Sequence, residues 1–466
     1  MENQVTTPES VRITSAVDPV TAVSRLAGSG RFGDHVVYER PGRWVFAADP
    51  LGRVELDTDE LRVSAAGGST RERWTGRPVD ALERGFDSLR VACGAGASGT
   101  AYGWIAFEFC ADAFGAQRHL TERTSLAHMI IPRIEVTVTE SEVTVDGATA
   151  ADVEVIEQLL RSPAEPLPTP HPVDVRTDVS GYRARVATAV AEIAAGDYQK
   201  VILSRRVELP FRVDLPASYR LGRAHNTPAR SFLLRLGGLA AAGFSPELVV
   251  SVDDEGVVTT EPLAGTRALG QGVAADLAAR NELESDPKEI VEHAVSVRTS
   301  FTEVASIAEP GSAAVTDFMT VRERGSVQHL ASTVRGRLAR HRTRWDALDA
   351  LFPAVTASGI PKRAGVDAVF RHDAARGLYS GAVVTLSEIG ALEATLVLRA
   401  VYQDEDAAWL RAGAGIVSQS QPDREFEETC EKLGSVAPYL VPVVSRGPGS
   451  TPRSPMVTGG SRHPRR

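Results

Sequence analysis

The stretch Phe232-Leu233-Leu234-Arg235-Leu236-Gly237-Gly238-Leu239-Ala240-Ala241-Ala242-Gly243 decides the fold class. Two apolar runs separated only by Gly-Gly form a β-hairpin signature, because both glycines reach the positive φ of a tight turn without steric cost. Working outward, Leu248–Val252, a turn at Asp253-Asp254-Glu255-Gly256, and Val257–Thr260 repeat the pattern. Leu378–Leu386, Ala391–Tyr402 and Trp409–Val417 continue the meander. Strands joined by tight turns run antiparallel, so the expected class is α+β, with antiparallel sheets and helices packed outside. Upstream, Ser180 precedes a helical stripe of Tyr182, Val186, Ala189, Val190 and Ile193 that stops at Gly196, and Tyr198–Leu203 then reads as strand.

The chain has 466 residues, 43% hydrophobic and 24% charged, enough for one large or two moderate domains. Its formal charge is −9, and Arg446–Arg466 holds five arginines and no acid, so the remainder is more acidic still. That balance argues against nucleic acid as a partner. The three cysteines, Cys93, Cys110 and Cys430, are odd in number and lack C-x-x-C spacing, so neither a disulfide framework nor a thiolate zinc site is indicated, and a reducing cytoplasm fits. Met1–Ser10 lacks an apolar run and no eighteen apolar residues are consecutive, so neither secretion nor a membrane span is expected.

Five prolines within residues 162–172 forbid continuous helix or central strand and mark an extended connector. Residues 1–161 before it form an N-terminal α/β part, with strand-like Trp44–Ala47, Tyr102–Phe107 and Arg133–Val138 and a helix at Ala151–Leu160. Residues 173–444 form a longer, more regular region, and the Pro/Gly/Ser/Arg-rich 445–466 reads as a disordered tail.

Two glutamate pairs, Glu289/Glu292 and Glu425/Glu428, have i, i+3 spacing in helical segments, which puts each pair on one helix face. Ser285 or Asp286 can cap the first helix with Pro287 at its first position; Pro422 precedes the second, where Lys432 shares the Glu428 face. Acidic residues in a first turn can simply complement the helix dipole and face water. If the two helices converge, four carboxylates need a cation, and hard oxygen ligands without His or Cys point to Mg²⁺.

Lys200 lies among apolar strand neighbours, where it either snorkels outward or, desolvated, serves as a general base. Glu247 follows Gly243-Phe244-Ser245-Pro246 at a turn between strands, a candidate general acid or a solvated turn carboxylate. Two glycine-bearing turns, 261–267 and 411–417, could offer backbone N–H groups to an anion. Arg399, on the strand face of Thr395 and Val397, is either a carboxylate clamp or half of a cross-strand ion pair. His329 is a core histidine or a site member.

Together these segments resemble the chorismate-utilising enzymes across residues 180 to 442, and within them the siderophore salicylate synthases of the mycobactin type. The resemblance is carried by Asp197–Arg205, Gly243–Val249, Thr260–Arg267, Asp286–His293, Asp317–His329, Leu378–Ala382 and Arg411–Lys432. It implies that family's α+β fold, with antiparallel sheets packed face to face. It implies that Lys200 activates water for attack at C2 of chorismate and that Glu247 protonates the departing C4 hydroxyl, giving isochorismate. It further implies that Glu292 and Glu428 bind Mg²⁺ directly and Glu289 and Glu425 through water. Tyr379, Arg399 and the backbone at Gly413–Gly415 would hold the enolpyruvyl carboxylate, Lys432 would add positive charge, and Thr266 and His329 would line the pocket.

The resemblance also discriminates among relatives. Anthranilate synthases attack with ammonia from a glutamine amidotransferase and generally lack the lysine at position 200, so Lys200 implies water and no such partner. Isochorismate synthases share the lysine and glutamates but release the intermediate. Residues 355–362 and 317–329 are more similar to the salicylate enzymes, in which bound isochorismate loses pyruvate in a pericyclic step. The implied protein is a cytoplasmic, monomeric, Mg²⁺-dependent salicylate synthase; the alternatives are an isochorismate synthase, an anthranilate-synthase-like enzyme or an inactive dicarboxylate-binding relative.

Overall fold

The computed structural model describes residues 10–94, 99–163, 166–325 and 327–443. The expected tail at 445–466, the residues before 10 and part of the connector lie outside the described residues. The hairpin forms as read: Arg230–Leu236 pairs antiparallel with Leu239–Ser245, and Leu236 faces Leu239 across the Gly237-Gly238 turn, both glycines having positive φ.

The strand pairings are antiparallel throughout and form one network with two arms. They meet at the long strands Arg43–Asp57 and Ser125–Val138, whose register shifts between Pro50 and Gly52. One arm runs from Arg43–Asp57 through His35–Arg40, Arg230–Leu236, Leu239–Ser245, Ala400–Gln403 and Ala408–Ile416 to Lys200–Glu208. The other runs from Ser125–Val138 through Ala101–Ile105, Ala382–Leu386, Leu392–Leu396, Leu248–Val252 and Val257–Thr260 to Val327–Arg337.

Between the arms lies an aromatic-rich core, with Tyr38, Phe232 and Tyr402 from one and Tyr102, Trp104 and Val383 from the other, so the sheets pack face to face. Helices cover the outer faces. Pro19–Gly28, Ala150–Arg161 and Leu215–Arg223 bury Leu26, Ile156 and Tyr219 against the first arm. Pro78–Cys93, Pro287–Ile307 and Arg344–Leu351 bury Phe86, Val304 and Leu348 against the second. The N-terminal strands thus pair directly with strands that follow residue 173. No helix among the described residues is long and apolar enough to cross a membrane.

Several boundaries differ from the sequence reading, each for a local reason. The strand expected over Leu378–Leu386 is confined to Ala382–Leu386, because Gly377 and Ser380 take positive φ and make a turn. Ala391–Tyr402 divides into Leu392–Leu396 and Ala400–Gln403, since Arg399 has φ 51°. That left-handed residue interrupts the period-two alternation, so Arg399 does not share a strand face with Thr395 and Val397 in the way a regular run requires. The strand expected over Tyr102–Phe107 ends at Ile105 and continues as a 3₁₀ turn, Phe107–Cys110. Both glycine-bearing turns are strands: Ala408–Ile416 is regular, and Leu263–Ala268 carries a bulge at Gly265, φ 67°.

Candidate active site

A cavity of about 460 Å³ opens where the two arms meet the glutamate helices. Lys200, Glu247, Thr266, His329, Tyr379, Arg399, Gly413, Gly415, Lys432 and all four glutamates line it. Every residue singled out from sequence is thereby brought to one place.

The helix Pro287–Ile307 starts where expected: Asp286 is the N-cap, its carboxylate accepting from the Lys288 and Glu289 amides, with Pro287 in the first turn. The same carboxylate receives Arg267, which also reaches Glu289 at 3.2 Å. Helix Pro422–Leu433 presents Glu425 and Glu428 with no side-chain cap. Glu289 and Glu425 are raised above the usual carboxylate range, by burial first and then by their neighbours Glu292 and Glu428.

Lys200 neither snorkels nor stands alone. It is 4% exposed, and its Nζ lies 2.6 Å from Glu292 Oε1. Burial opposes ionisation of Glu292, but the adjacent Lys200 ammonium outweighs it and lowers the carboxyl overall. Lys432 likewise sits 2.8 Å from Glu428 Oε1 and donates to the Gly413 carbonyl at 2.9 Å. Among the described residues, no three His, Cys, Asp or Glu side chains form a ready-made metal cage; Glu292 and Glu428 are held by lysines.

Glu247 sits between Leu239–Ser245 and Leu248–Val252, two strands that do not pair with each other. The side chain is 3% exposed rather than a solvated turn carboxylate. Burial pushes its carboxyl up to about 8, against a hydrogen bond from Thr356 Oγ1 to Oε1 at 2.8 Å. At neutral pH it holds a proton, as a general acid must.

Arg399 makes no ion pair to a carboxylate among the described residues; one guanidinium nitrogen donates to the Arg324 carbonyl and another to His329 Nε2. Burial and the Arg324 charge push it down to about 10. Because guanidinium has no acceptor, His329 Nε2 must accept and Nδ1 carries the hydrogen, which reaches the Gly265 carbonyl at 3.0 Å with Thr266 Oγ1 at 3.1 Å. Burial, then Arg399, keeps this imidazole neutral. An uncompensated buried guanidinium is a ready partner for a ligand carboxylate.

Gly413 and Gly415 matter by absence of side chain. A Cβ at Gly413 would lie 2.5 Å from the Leu203 carbonyl oxygen and 2.9 Å from the Tyr379 hydroxyl; at Gly415 it would meet Lys200 Cε at 3.0 Å. Pairing with Ala400–Gln403 stops at Leu410, so beyond it one edge of this strand borders the cavity. Tyr379 itself is fixed by two guanidiniums over its ring, Arg376 at 5.7 Å and Arg411 at 5.4 Å, both beside buried Asp373.

Sequence reasoning did not single out Thr356, Arg267 or the Asp373/Arg376/Arg411 support. Thr356 and Arg267 lay within quoted stretches, but nothing local to either residue indicates the carboxylate it meets, which is distant in sequence.

The chorismate binding enzyme family matches residues 38–438. A salicylate synthase from Mycolicibacterium paratuberculosis is 53% identical over 436 residues, covering 93% of this chain and 96% of that protein. Anthranilate synthase component 1 from Streptomyces coelicolor is 36% identical over 67% of this chain and 63% of its own length. Among solved structures, anthranilate synthase component I from Streptococcus pneumoniae superposes with TM-score 0.70 at 26% identity, covering 85% of this chain and 92% of that one. The menaquinone-specific isochorismate synthase MenF from Escherichia coli, at 20% identity and TM-score 0.69 over 92% and 94% of the two chains, shares the fold. On this match across most of its length, the chain belongs to the family of chorismate binding enzymes.

Proposed function

We propose that this protein is a salicylate synthase, converting chorismate through isochorismate to salicylate and pyruvate. The observation that carries the reading is one cavity that holds a buried lysine, a protonated buried glutamic acid and an arginine without a carboxylate partner among the described residues. Chorismate has two carboxylates, so two positive sites must orient it while a base and an acid act at different ring carbons. Arg399 takes the enolpyruvyl carboxylate, with Tyr379, the open edge at Gly413–Gly415 and Lys432 around it, while Thr266 and His329 shape the wall.

In the first half-reaction Lys200, acting from its free-amine form rather than the ammonium paired with Glu292, takes a proton from water as the water oxygen bonds to C2. The two ring double bonds each shift by one position, and the C4–O bond breaks with its electron pair on oxygen, which receives the proton of Glu247. One water enters and one leaves. In the second half-reaction the C2 hydrogen passes to the enolpyruvyl methylene as the C3–O bond breaks, giving pyruvate and an aromatic ring. That step asks the protein for conformation rather than for a further acid or base.

The donor set fits Mg²⁺, which uses one or two carboxylates together with water and substrate oxygens rather than a full protein cage. Glu292 and Glu428 would hold it directly and Glu289 and Glu425 through water; the carboxyls of the latter two are raised by burial first and by Glu292 and Glu428 second. When bound, such an ion supplies positive charge for the ring carboxylate. The catalytic side chains lie in the region 173–444, and the described strands before residue 162 complete the sheets. Because water replaces ammonia, the reaction needs no glutamine amidotransferase.

The reading is tested by turnover in H₂¹⁸O. Salicylate formed by water attack at C2 carries one solvent oxygen in its phenol, two mass units heavier. Unlabelled salicylate would overturn the assignment; labelled isochorismate without salicylate would select the isochorismate synthase alternative.

A further inference from the structure

Thr356 lies in the one-turn segment Val355–Ala357, and its hydroxyl is the only side-chain donor to the Glu247 carboxyl among the described residues. The chain then continues directly into the short strand Gly359–Ile360, which pairs with the start of Lys200–Glu208: Ile360 faces Lys200 and Gly359 faces Val201. Gln199 donates to the Ile360 carbonyl at 2.8 Å and Ile202 to the Ser358 carbonyl at 2.9 Å. A Cβ at Gly359 would lie 2.4 Å from the Lys200 carbonyl oxygen, so only glycine allows this approach. Buried Arg376 bridges the same two segments, donating to the Ala357 carbonyl at 2.7 Å and the Ile202 carbonyl at 2.6 Å. Six consecutive residues, 355–360, therefore touch the acid through a side chain and the base through the backbone.

We propose that Thr356 is a positioning residue: its hydroxyl fixes Oε1 of Glu247 as an acceptor, leaving Oε2 to carry the transferable proton, while segment 355–360 sets the spacing between Glu247 and Lys200. This rests on the reaction proposed above. As Oε2 gives its proton to the C4 oxygen and the C4–O bond breaks, the carboxyl becomes a carboxylate that still accepts from Thr356. The hydrogen bond strengthens as charge develops, so its effect belongs to the transition state and falls on kcat rather than KM. The loss of isochorismate's pyruvate needs no proton from Glu247 and does not depend on the contact.

The test is to assay Thr356→Val and Thr356→Ser with chorismate and, separately, with isochorismate, following folding by circular dichroism. Thr356→Val is expected to lower kcat for isochorismate formation by about tenfold, the effect of one hydrogen bond to a developing charge. KM should hold, the rate of salicylate formation from isochorismate should hold, and Thr356→Ser should restore the first step. The alkaline limb of the first step should also move to higher pH, because the lost bond favoured the ionised form. The other charged groups acting on Glu247, Glu261 and Lys200, are unchanged in these variants. Equal loss in both half-reactions, a change confined to KM, or a folded Thr356→Ser protein as slow as Thr356→Val would overturn the inference. Wild-type protein that leaves chorismate unconverted would instead overturn the proposed reaction.

Discussion

Replacing Glu247 with Gln should inactivate the protein and stabilise it, and the stabilisation should depend on pH in a way the structure sets. The Glu247 carboxyl is 3% exposed, and burial moves it from 4.5 to about 8. Between those values the unfolded chain has released this proton and the folded chain has not. Folded-state stability therefore falls as pH rises through the window, by about 1.4 kcal/mol per pH unit. Gln cannot ionise, and its side-chain oxygen can still accept from Thr356. At pH 7 the variant should be the more stable by about 3 kcal/mol, against about 0.8 kcal/mol at pH 5, with the difference levelling off above pH 8. Urea denaturation of both proteins at pH 5, 7 and 8.5, beside chorismate turnover, reads both effects. A stability difference that is the same at every pH, or a variant less stable than wild type at pH 7, would refute the reasoning.

Further outcomes follow from the other cavity residues. Lys200→Ala should slow isochorismate formation by at least about 10²-fold, the scale of a lost general base, while the variant keeps its circular dichroism spectrum; near-normal isochorismate formation would remove Lys200 as the base. Glu428→Gln should raise the Mg²⁺ concentration for half-maximal activity at least about tenfold, on the scale of a lost metal contact; an unchanged Mg²⁺ titration would show that the ion binds elsewhere. Gly413→Ala pushes a methyl to 2.5 Å from the Leu203 carbonyl oxygen and 2.9 Å from the Tyr379 hydroxyl. It should cost about 1–3 kcal/mol of stability and raise KM for chorismate, readable by denaturation and steady-state kinetics.

The sheets were legible because their signals are local. Gly237-Gly238 flanked by apolar runs leaves the backbone little choice, and Asp286-Pro287 specifies a helix start from two adjacent residues. The candidate site was legible through residue types that are costly to bury, such as Lys200 and Glu247, and through carboxylates spaced for one helix face. What escaped depends on tertiary contacts. Arg399 takes positive φ where its carbonyl accepts from the Phe244 amide and its guanidinium bonds the Arg324 carbonyl, contacts that strand alternation cannot foresee. The Lys200–Glu292 and Thr356–Glu247 contacts join residues 92 and 109 positions apart. Gly413 and Gly415 read as a turn because glycine favours turns, yet they are strand residues that leave room for Tyr379 and Lys200.

The central claim is that one cavity carries chorismate through both half-reactions with the help of a divalent cation. It is tested most directly by chromatographic product analysis after incubating the purified protein with chorismate, with Mg²⁺ and with chelator in parallel. Salicylate and equimolar pyruvate are expected with Mg²⁺, and neither with chelator. Isochorismate accumulating alone, or the same products in the presence of chelator, would contradict it.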